Sequence, residues 1–202
     1  MNTGALYKIE NLDVQVRVDQ DFSLVLASEV VNGYDALFLF NGAADFVGRA
    51  VLKGIRANED ANLARTFREK IAAINLQSLT QKALVDGLQA TLRFKSVTAI
   101  TQGMEPSPTD RGILRVRIEN WGLYAGSKEN ASLQKVEVGL NATCTLVGGD
   151  GKIAWEHKDH FTGGIHRPIS EYASSPDLLI REIEETTRRY CSRVVNEIRY
   201  AQ

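Results

Sequence analysis

The segment from residue 144 to 161, CTLVGGDGKIAWEHKDHF, brings together several residue types that could do chemistry. Its GlyAspGlyLys stretch looks like part of a phosphate-binding loop. That loop requires the pattern GxxxxGK[ST], but Leu146 and Ile153 stand where glycine and serine or threonine are needed. A strand pattern follows the lysine, so no helix N-terminus is present to point its amides at a phosphate. We therefore interpret the segment as a turn between two strands.

Three histidines, His157, His160 and His166, could in principle bind zinc together with Asp159. On an extended strand, positions 157 and 160 point to opposite faces, so they cannot chelate one ion without a bulge. We expect solvated polar positions near a strand end, and the sequence implies no metal and no cofactor. The chain contains no GxSxG, HExxH, CxxC or dinucleotide-binding fingerprint, although a site assembled only in three dimensions would leave no such motif.

The two cysteines, Cys144 and Cys191, fall on the apolar faces of a predicted strand and of the predicted last helix. The two thiols can meet if that helix packs on that sheet. Free buried thiols, which are common and inert, are one alternative. A disulfide is the other, and it requires an oxidising compartment. A catalytic Cys–His pair is least favoured, because a nucleophile needs an exposed, activated thiolate.

Hydrophobic periodicity predicts the elements that must position these residues. Residues 12–18 alternate as a half-buried strand. The later elements are helix 78–93, strands 94–101, 113–124, 133–147 and 152–162, and helix 176–199. In helix 78–93, Ser78 and Gln81 have capping-box spacing, and Leu84, Leu88 and Leu92 form the apolar face. On the last strand, Ile153, Trp155 and Phe161 are expected to form the apolar face. For the last helix we expect Ser175 at the N-cap.

These elements predict an α/β (α+β) fold, a two-layer sandwich with one mostly antiparallel sheet and helices 78–93 and 176–199 on one face. Residues 1–202 form a single domain. Within it, residues 1–77 supply N-terminal strands and an amphipathic helical region, and residues 78–202 supply the core sandwich.

Residues 35–57 are predicted to form an amphipathic helix with a polar stripe that includes Arg49 and Lys53. The helix is expected to pack in the core. The alternative is a surface that binds a partner or a membrane through Arg49, Lys53 and Arg56.

Composition limits the classes of function. The net charge is −1, with acids and bases interspersed, which argues against a nucleic-acid binder. No apolar run reaches the roughly 20 residues that span a bilayer. No signal peptide is visible, so the chain is either cytoplasmic or an exported chain whose leader lies upstream of residue 2.

The order of elements in the second half resembles the small α/β domain of several bacterial envelope lipoproteins. The segments that carry the resemblance are ILRVRIENWGLY, VEVGLNATCTLVGGDGKIAWEH and YCSRVVNEI. Similar domains occur in the curli secretion lipoprotein, in the N-terminal part of the Tol-system propeller protein and in transport-auxiliary lipoproteins. The resemblance covers about residues 78–200 and consists of a long hairpin with a "GKxxW"-like turn, followed by a closing helix.

The resemblance implies an exported, non-enzymatic accessory protein in the periplasm, anchored to the outer membrane through a lipid. Such a protein would bind other envelope proteins or self-associate, with peripheral membrane contact and no nucleic acid. An oxidising periplasm would also favour the disulfide. Two alternatives stay open: a lipid or small-molecule carrier with Phe38, Phe40 and Phe46 lining a cavity, and a hydrolase or metal enzyme that uses the histidines.

Overall fold

The structure, a computed structural model, describes residues 9–25, 67, 69–101, 111–125 and 135–200. It is an α/β sandwich, as predicted, in which a mixed sheet forms one layer and two long helices pack on one face of that sheet. The strands are β1 (Asn11–Val18), β2 (Ser23–Val25), β3 (Ser96–Ala99), β4 (Arg111–Tyr124), β5 (Lys135–Val147), β6 (Ile153–Thr162) and β7 (Arg167–Pro168). The helices are α1 (Leu76–Ala90), α2 (Ile169–Ser174) and α3 (Pro176–Tyr200).

The sheet has the order β3-β1-β4-β5-β6, with β2 paired to β4 and β7 paired to β5. The β4–β5 and β5–β6 pairs are antiparallel, as expected for consecutive hairpin strands. β1 is parallel to both of its neighbours, so the sheet is mixed. The sequence pattern identified β1 as a strand but not its place among the strands of the second half. Alternation of apolar and polar residues indicates which face of a strand is buried, but it does not indicate which other strand that strand pairs with.

One face of the sheet, the helix face, is covered by α1 and α3; the opposite face is called the open face. Alternating apolar residues of the central strands point to the helix face and are buried, as are the inward residues of both helices. The members on β1, β4 and β5 include Leu12, Val14, Val16, Leu114, Val116, Ile118, Val138, Leu140, Cys144 and Leu146. Period-two patterning therefore places the apolar set on one layer, as predicted.

The β5–β6 connection is the predicted turn. The Gly148 amide donates to the Lys152 carbonyl over 2.9 Å, and the Gly151 amide donates to the Gly148 carbonyl over 2.9 Å. Gly151 has φ +75°, which glycine adopts without steric penalty. A strand follows this turn, so its amides serve a hairpin and not a phosphate site.

A register shift lies between Leu146 and Val147 at the start of β6. Leu146 pairs with Trp155 and Val147 with Ile153, so one extra residue stands on β6. The bulge places Ile153 opposite Val147, away from the face of Trp155. The expectation that Ile153 shares the apolar face is therefore wrong, and the residue is exposed.

α1 begins two residues before the predicted start. Its N-cap is Asn75, whose side chain accepts a hydrogen bond from the Ser78 amide over 2.9 Å, so Ser78 is not the cap. Gln81 reaches the sheet and donates to the Val14 and Ile100 carbonyls, both at 2.9 Å. The capping-box interpretation is wrong because a polar side chain beside the sheet can bind backbone carbonyls that no local pattern reveals.

The other end of α1 also differs from the expectation. Leu84 and Leu88 are buried, but the helix ends at Ala90 and Leu92 is exposed. Leu92 has φ +55°, the left-handed conformation that commonly follows a helix C-terminus. This backbone change takes Leu92 off the apolar stripe of the helix.

α3 begins at Pro176, as predicted, and ends at Tyr200. Near the start of α3, the buried side chain of Glu182 is contacted by Tyr172 and Arg167. The Tyr172 hydroxyl donates to Glu182 over 2.5 Å, and the Arg167 Nε donates to it over 2.6 Å. This cluster fixes α2 and β7 against α3.

One end of the sandwich, called the lower end, is defined by strand direction. β1, β3, β4 and β6 start there, and β5 finishes there. The C-termini of α1 and α3 also lie there, because Arg93, which follows α1, donates to the Ile198 carbonyl near the end of α3. This contact satisfies a helix C-terminal carbonyl with a positive charge.

Among the described residues, no helix is both long and apolar enough to cross a membrane. The predicted helix 35–57 lies outside the described residues, and with it the candidate surface of Arg49, Lys53 and Arg56. The cavity residues proposed for a carrier, Phe38, Phe40 and Phe46, also lie outside them.

Candidate functional site

The structure separates the three histidines. His157 pairs with Cys144 on the helix face, whereas His160 pairs with Asn141 on the open face. His166 follows β6 and contacts Glu137 of β5. The opposite orientation of positions 157 and 160 is as predicted from strand geometry. Among the residues that the structure describes, no group of three or more His, Cys, Asp or Glu side chains is placed to hold a metal ion.

His157 belongs to an ion-pair cluster that joins β6 to α3. Its Nδ1 lies 3.1 Å from Glu197 Oε2, and its Nε2 lies 3.8 Å from Asp159 Oδ2. Arg193 closes the cluster with contacts to Asp159 at 2.9 Å and to Glu197 at 3.2 Å. The ring also stacks on Trp155, with 5.9 Å between centroids. These are half-buried structural contacts and not the solvated positions that we expected. Inward-pointing charges on the last strand of the sheet also discourage pairing with other chains.

A hydrogen-bond network on the open face joins β4, β5 and β6. Tyr124 donates its hydroxyl to Asn120 over 2.7 Å, and Asn141 donates its amide to the same oxygen over 2.6 Å. His160 Nδ1 lies 2.5 Å from Asn141 Oδ1. The Tyr124 ring lies over Gly139, where an added Cβ would stand 3.0 Å from the ring. Gly139 therefore creates the space in which Tyr124 packs edge-on to His160, at 5.3 Å between centroids.

This network fixes the tautomer of His160. Because Asn141 presents its carbonyl oxygen, the imidazole must donate from Nδ1 and carry its lone pair on Nε2. Partial burial lowers the pKa of His160, so the ring is neutral at physiological pH. An imidazole oriented in this way could accept a proton from a bound molecule. No sequence pattern points to this network, because strand register brings its members together.

Glu137 is a buried carboxylate beside His160 and His166. It accepts a hydrogen bond from the Gly164 amide over 2.9 Å, and its other oxygen lies 3.3 Å from His166 Nε2. Both oxygens are therefore engaged inside the fold, which offsets the cost of burying the charge. The pair holds the loop after β6 against β5.

The two cysteines lie in the same core but have different partners. Cys144 Sγ is 2.9 Å from the Tyr190 hydroxyl, and Cys191 Sγ is 3.8 Å from the Thr80 carbonyl oxygen. Both are free thiols in this structure, and burial raises the pKa of each to about 12. Neither is an activated nucleophile. The disulfide stays a prediction, and forming it would replace both contacts.

Large apolar side chains are exposed at the lower end of the sandwich. Leu92 is 89% exposed, Tyr200 65% and Ile153 54%. They come from three separate segments: the loop after α1, the end of α3 and the start of β6. A fourth, Ile165, is 40% exposed and lies at the opposite end, after β6. We call Leu92, Ile153 and Tyr200 the lower-end patch.

Leu92 is the unusual member of the patch. A left-handed conformation at a helix C-terminus is usually taken by glycine or asparagine, because the side chain of other residues is strained there. Leu92 has this strained conformation, and its side chain buries almost none of its surface. Strain without a packing gain is a feature of functional positions.

The segments that carry the lower-end patch, and the strand starts beside them, also carry charged residues. Five basic and two acidic side chains lie on residues 10–11, 91–96, 111, 148–153 and 199–200. These side chains are Arg93, Lys95, Arg111, Lys152, Arg199, Glu10 and Asp150. The Arg199 guanidinium lies over the Tyr200 ring at 5.3 Å. Three of the five basic groups pair with a carboxylate: Lys95 with Glu10 at 2.6 Å, Arg111 with Asp13 at 2.5 Å and Lys152 with Asp150 at 3.9 Å.

No protein-family model matches this chain, and no curated protein matches it significantly.

Proposed function

We propose that this protein is a non-enzymatic accessory protein of the bacterial envelope, located in the periplasm and anchored to the outer membrane through a lipid. It acts by binding other envelope components or by self-association. The observation that carries the binding role is the lower-end patch. The resemblance of residues 78–200 to envelope lipoprotein domains supports the compartment.

The patch supports binding because its apolar side chains gain free energy only when something covers them. Single exposed apolar residues are ordinary on a protein surface. Here three of them stand at one end, and one of them is held in a strained backbone conformation. The polar clusters around His157, Glu137 and Glu182 have their main partners inside the fold, so we interpret them as contacts that stabilise the fold.

The binding role can be tested by placing a photo-crosslinking amino acid at Leu92, Ile153 or Tyr200 in living cells. Ile165 at the opposite end is the matched control, since it is also an exposed apolar residue. We expect adducts from the three patch positions and none from Ile165. Equal labelling from all four positions, or none, would refute a binding role for the patch.

The compartment needs an independent experiment. Expression of the native gene with its own upstream region, followed by cell fractionation and metabolic labelling with palmitate, should place the labelled protein in the outer-membrane fraction. Unlabelled protein in the cytoplasmic fraction would refute the proposed location and anchor.

A further inference from the structure

We propose that the open face of the sheet holds a binding site for a dianionic phosphate group, formed by the guanidinium groups of Arg17, Arg115 and Arg117. The site lies apart from the lower-end patch, so this inference goes beyond the proposed function and does not depend on it. Three observations carry it: the strand register that brings the arginines together, the carboxylate that orients two of them, and the positive charge that is left over.

Strand register places the three arginines side by side. β1 and β4 are adjacent parallel strands in which Arg17 pairs with Arg117, so these two side chains leave the same face of the sheet. Arg115 stands two residues earlier on β4, and side chains two residues apart on a strand share a face. Gln15 and Thr145 pair with Arg115 from the strands on either side. The arginines therefore occupy neighbouring positions on two paired strands.

Asp19 orients two of the guanidinium groups. Its backbone amide donates to the Ile118 carbonyl over 2.9 Å, which fixes it beside β4. Its carboxylate lies 2.5 Å from Arg17 Nε and accepts a hydrogen bond from Arg117 Nε. Both contacts use Nε, so the terminal nitrogens of the two arginines donate no hydrogen bond to the described residues. Terminal guanidinium nitrogens presented in this way match the paired oxygens of a phosphate group.

The arginines carry more positive charge than their surroundings neutralise. Three guanidinium groups and one shared carboxylate have a net charge of +2. Arg115 is exposed and makes no hydrogen bond or ion pair with the part of the chain that the structure describes. Glu119, the carboxylate of β4, is already engaged by Thr143 at 2.9 Å and by Lys158 at 3.5 Å. Like charges on neighbouring strands repel each other, so a bound dianion would stabilise this arrangement.

A phosphate group fits the site better than a single carboxylate does. A phosphate monoester carries about −1.5 to −2 charge at pH 7 and three acceptor oxygens, which suits three guanidinium groups with one charge neutralised. Thr145, half-buried beside Arg115, adds a hydroxyl donor. Glu156 pairs with Thr145 from β6, on the side away from Arg115, and bounds the site there. Because the arginines are exposed, a free phosphate ion and a phosphate ester can both reach them.

Amide NMR titration of the full chain with inorganic phosphate, at constant ionic strength set by sodium chloride, tests the inference. We expect saturable shifts centred on residues 15–19 and 115–119. Arg115→Gln and Arg117→Gln should each raise the dissociation constant roughly threefold to tenfold, because each removes charge-assisted hydrogen bonds. Arg181→Gln is the matched control, since it removes the same charge from an exposed position on α3, and it should leave the constant unchanged.

Two further probes identify the source of the anion. Glycerol 3-phosphate that binds at least as tightly as inorganic phosphate assigns the site to a phosphate ester, and weaker binding assigns it to the free ion. An aspartate-rich peptide that binds the same amides more tightly than either would overturn the phosphate assignment. Shifts that do not saturate, or equal affinity in Arg115→Gln and Arg181→Gln, would also overturn it. The substituted side chains are exposed, so the fold should persist, and unchanged amide shifts away from the site verify this.

Discussion

Replacing Leu92 with glycine should make the protein more stable. A non-glycine residue in the left-handed region costs about 1–2 kcal/mol, and Leu92 has φ +55°. Glycine removes that cost but loses more conformational entropy on folding, about 0.5–1 kcal/mol relative to alanine. Little packing is lost, because the side chain is 89% exposed. The net expectation is a gain of about 0.5–1 kcal/mol in the free energy of unfolding, or about 2 °C in Tm for a chain of this size.

Urea unfolding of three variants checks this reasoning. Leu92→Gly should raise the midpoint, and Leu92→Asn should raise it less, since asparagine tolerates the left-handed region. Leu92→Ala removes the same apolar surface but keeps the Cβ, so it should leave the midpoint near that of the unmodified protein. A stability that falls on substitution by glycine, or that rises equally for alanine, would refute the strain argument.

Three further predictions concern the core and the open face. Leu140→Ala should cost about 2–5 kcal/mol in urea unfolding, since Leu140 is 2% exposed, and a cost near zero would mean that its site collapses fully. Cys144 and Cys191, with pKa values raised to about 12, should resist alkylation in the native protein. Protein made in the cytosol should give two modified thiols once denatured. Protein made in the periplasm should be denatured and alkylated without reductant, and its intact mass measured. Two modified thiols in that protein would exclude the disulfide. In the chain-entropy model the disulfide would add roughly 4 kcal/mol to the free energy of unfolding. His160 has a lowered pKa in the folded state, so the unfolded chain binds more protons below about pH 6.5. Stability present above that pH is therefore lost as the pH falls through 6.5 toward the folded pKa. His160→Gln should reduce that loss in urea unfolding at neutral and mildly acidic pH, and an unchanged acid loss would mean that other groups cause it.

Periodicity was sufficient to predict α1, β3 to β6 and α3, because each has one buried face, but it did not predict the short elements β7 and α2. It could not place β1 between β3 and β4, since pairing partners are chosen over about a hundred residues of sequence, as between Asn11 and Arg111. The capping role assigned to Ser78 was wrong for a related reason. Asn75 caps the helix in the structure, and the local sequence pattern does not decide between two residues that can both cap.

The lower-end patch was not predicted at all. Leu92 was assigned to an apolar helix face, and Ile153 to an apolar strand face. Both assignments extrapolated a regular period through the end of an element, where a left-handed residue or a bulge breaks it. The one available signal was the position of Leu92 beside the end of a helix, where glycine or asparagine is usual. The open-face network around His160 had no sequence signal, because strand register brings it together.

The central position of β1 has a consequence for how the protein folds. β1 is synthesised first, yet its partner β4 follows only after about ninety further residues, and among the described strands β3 pairs only with β1. The sheet cannot form until the ribosome has synthesised the chain through β4, so the apolar face of β1 stays exposed to solvent until then. Long-range parallel pairing of this kind slows folding and prolongs the exposure of apolar surface. An unfolded chain of this design is therefore a natural substrate for chaperones that bind exposed apolar segments.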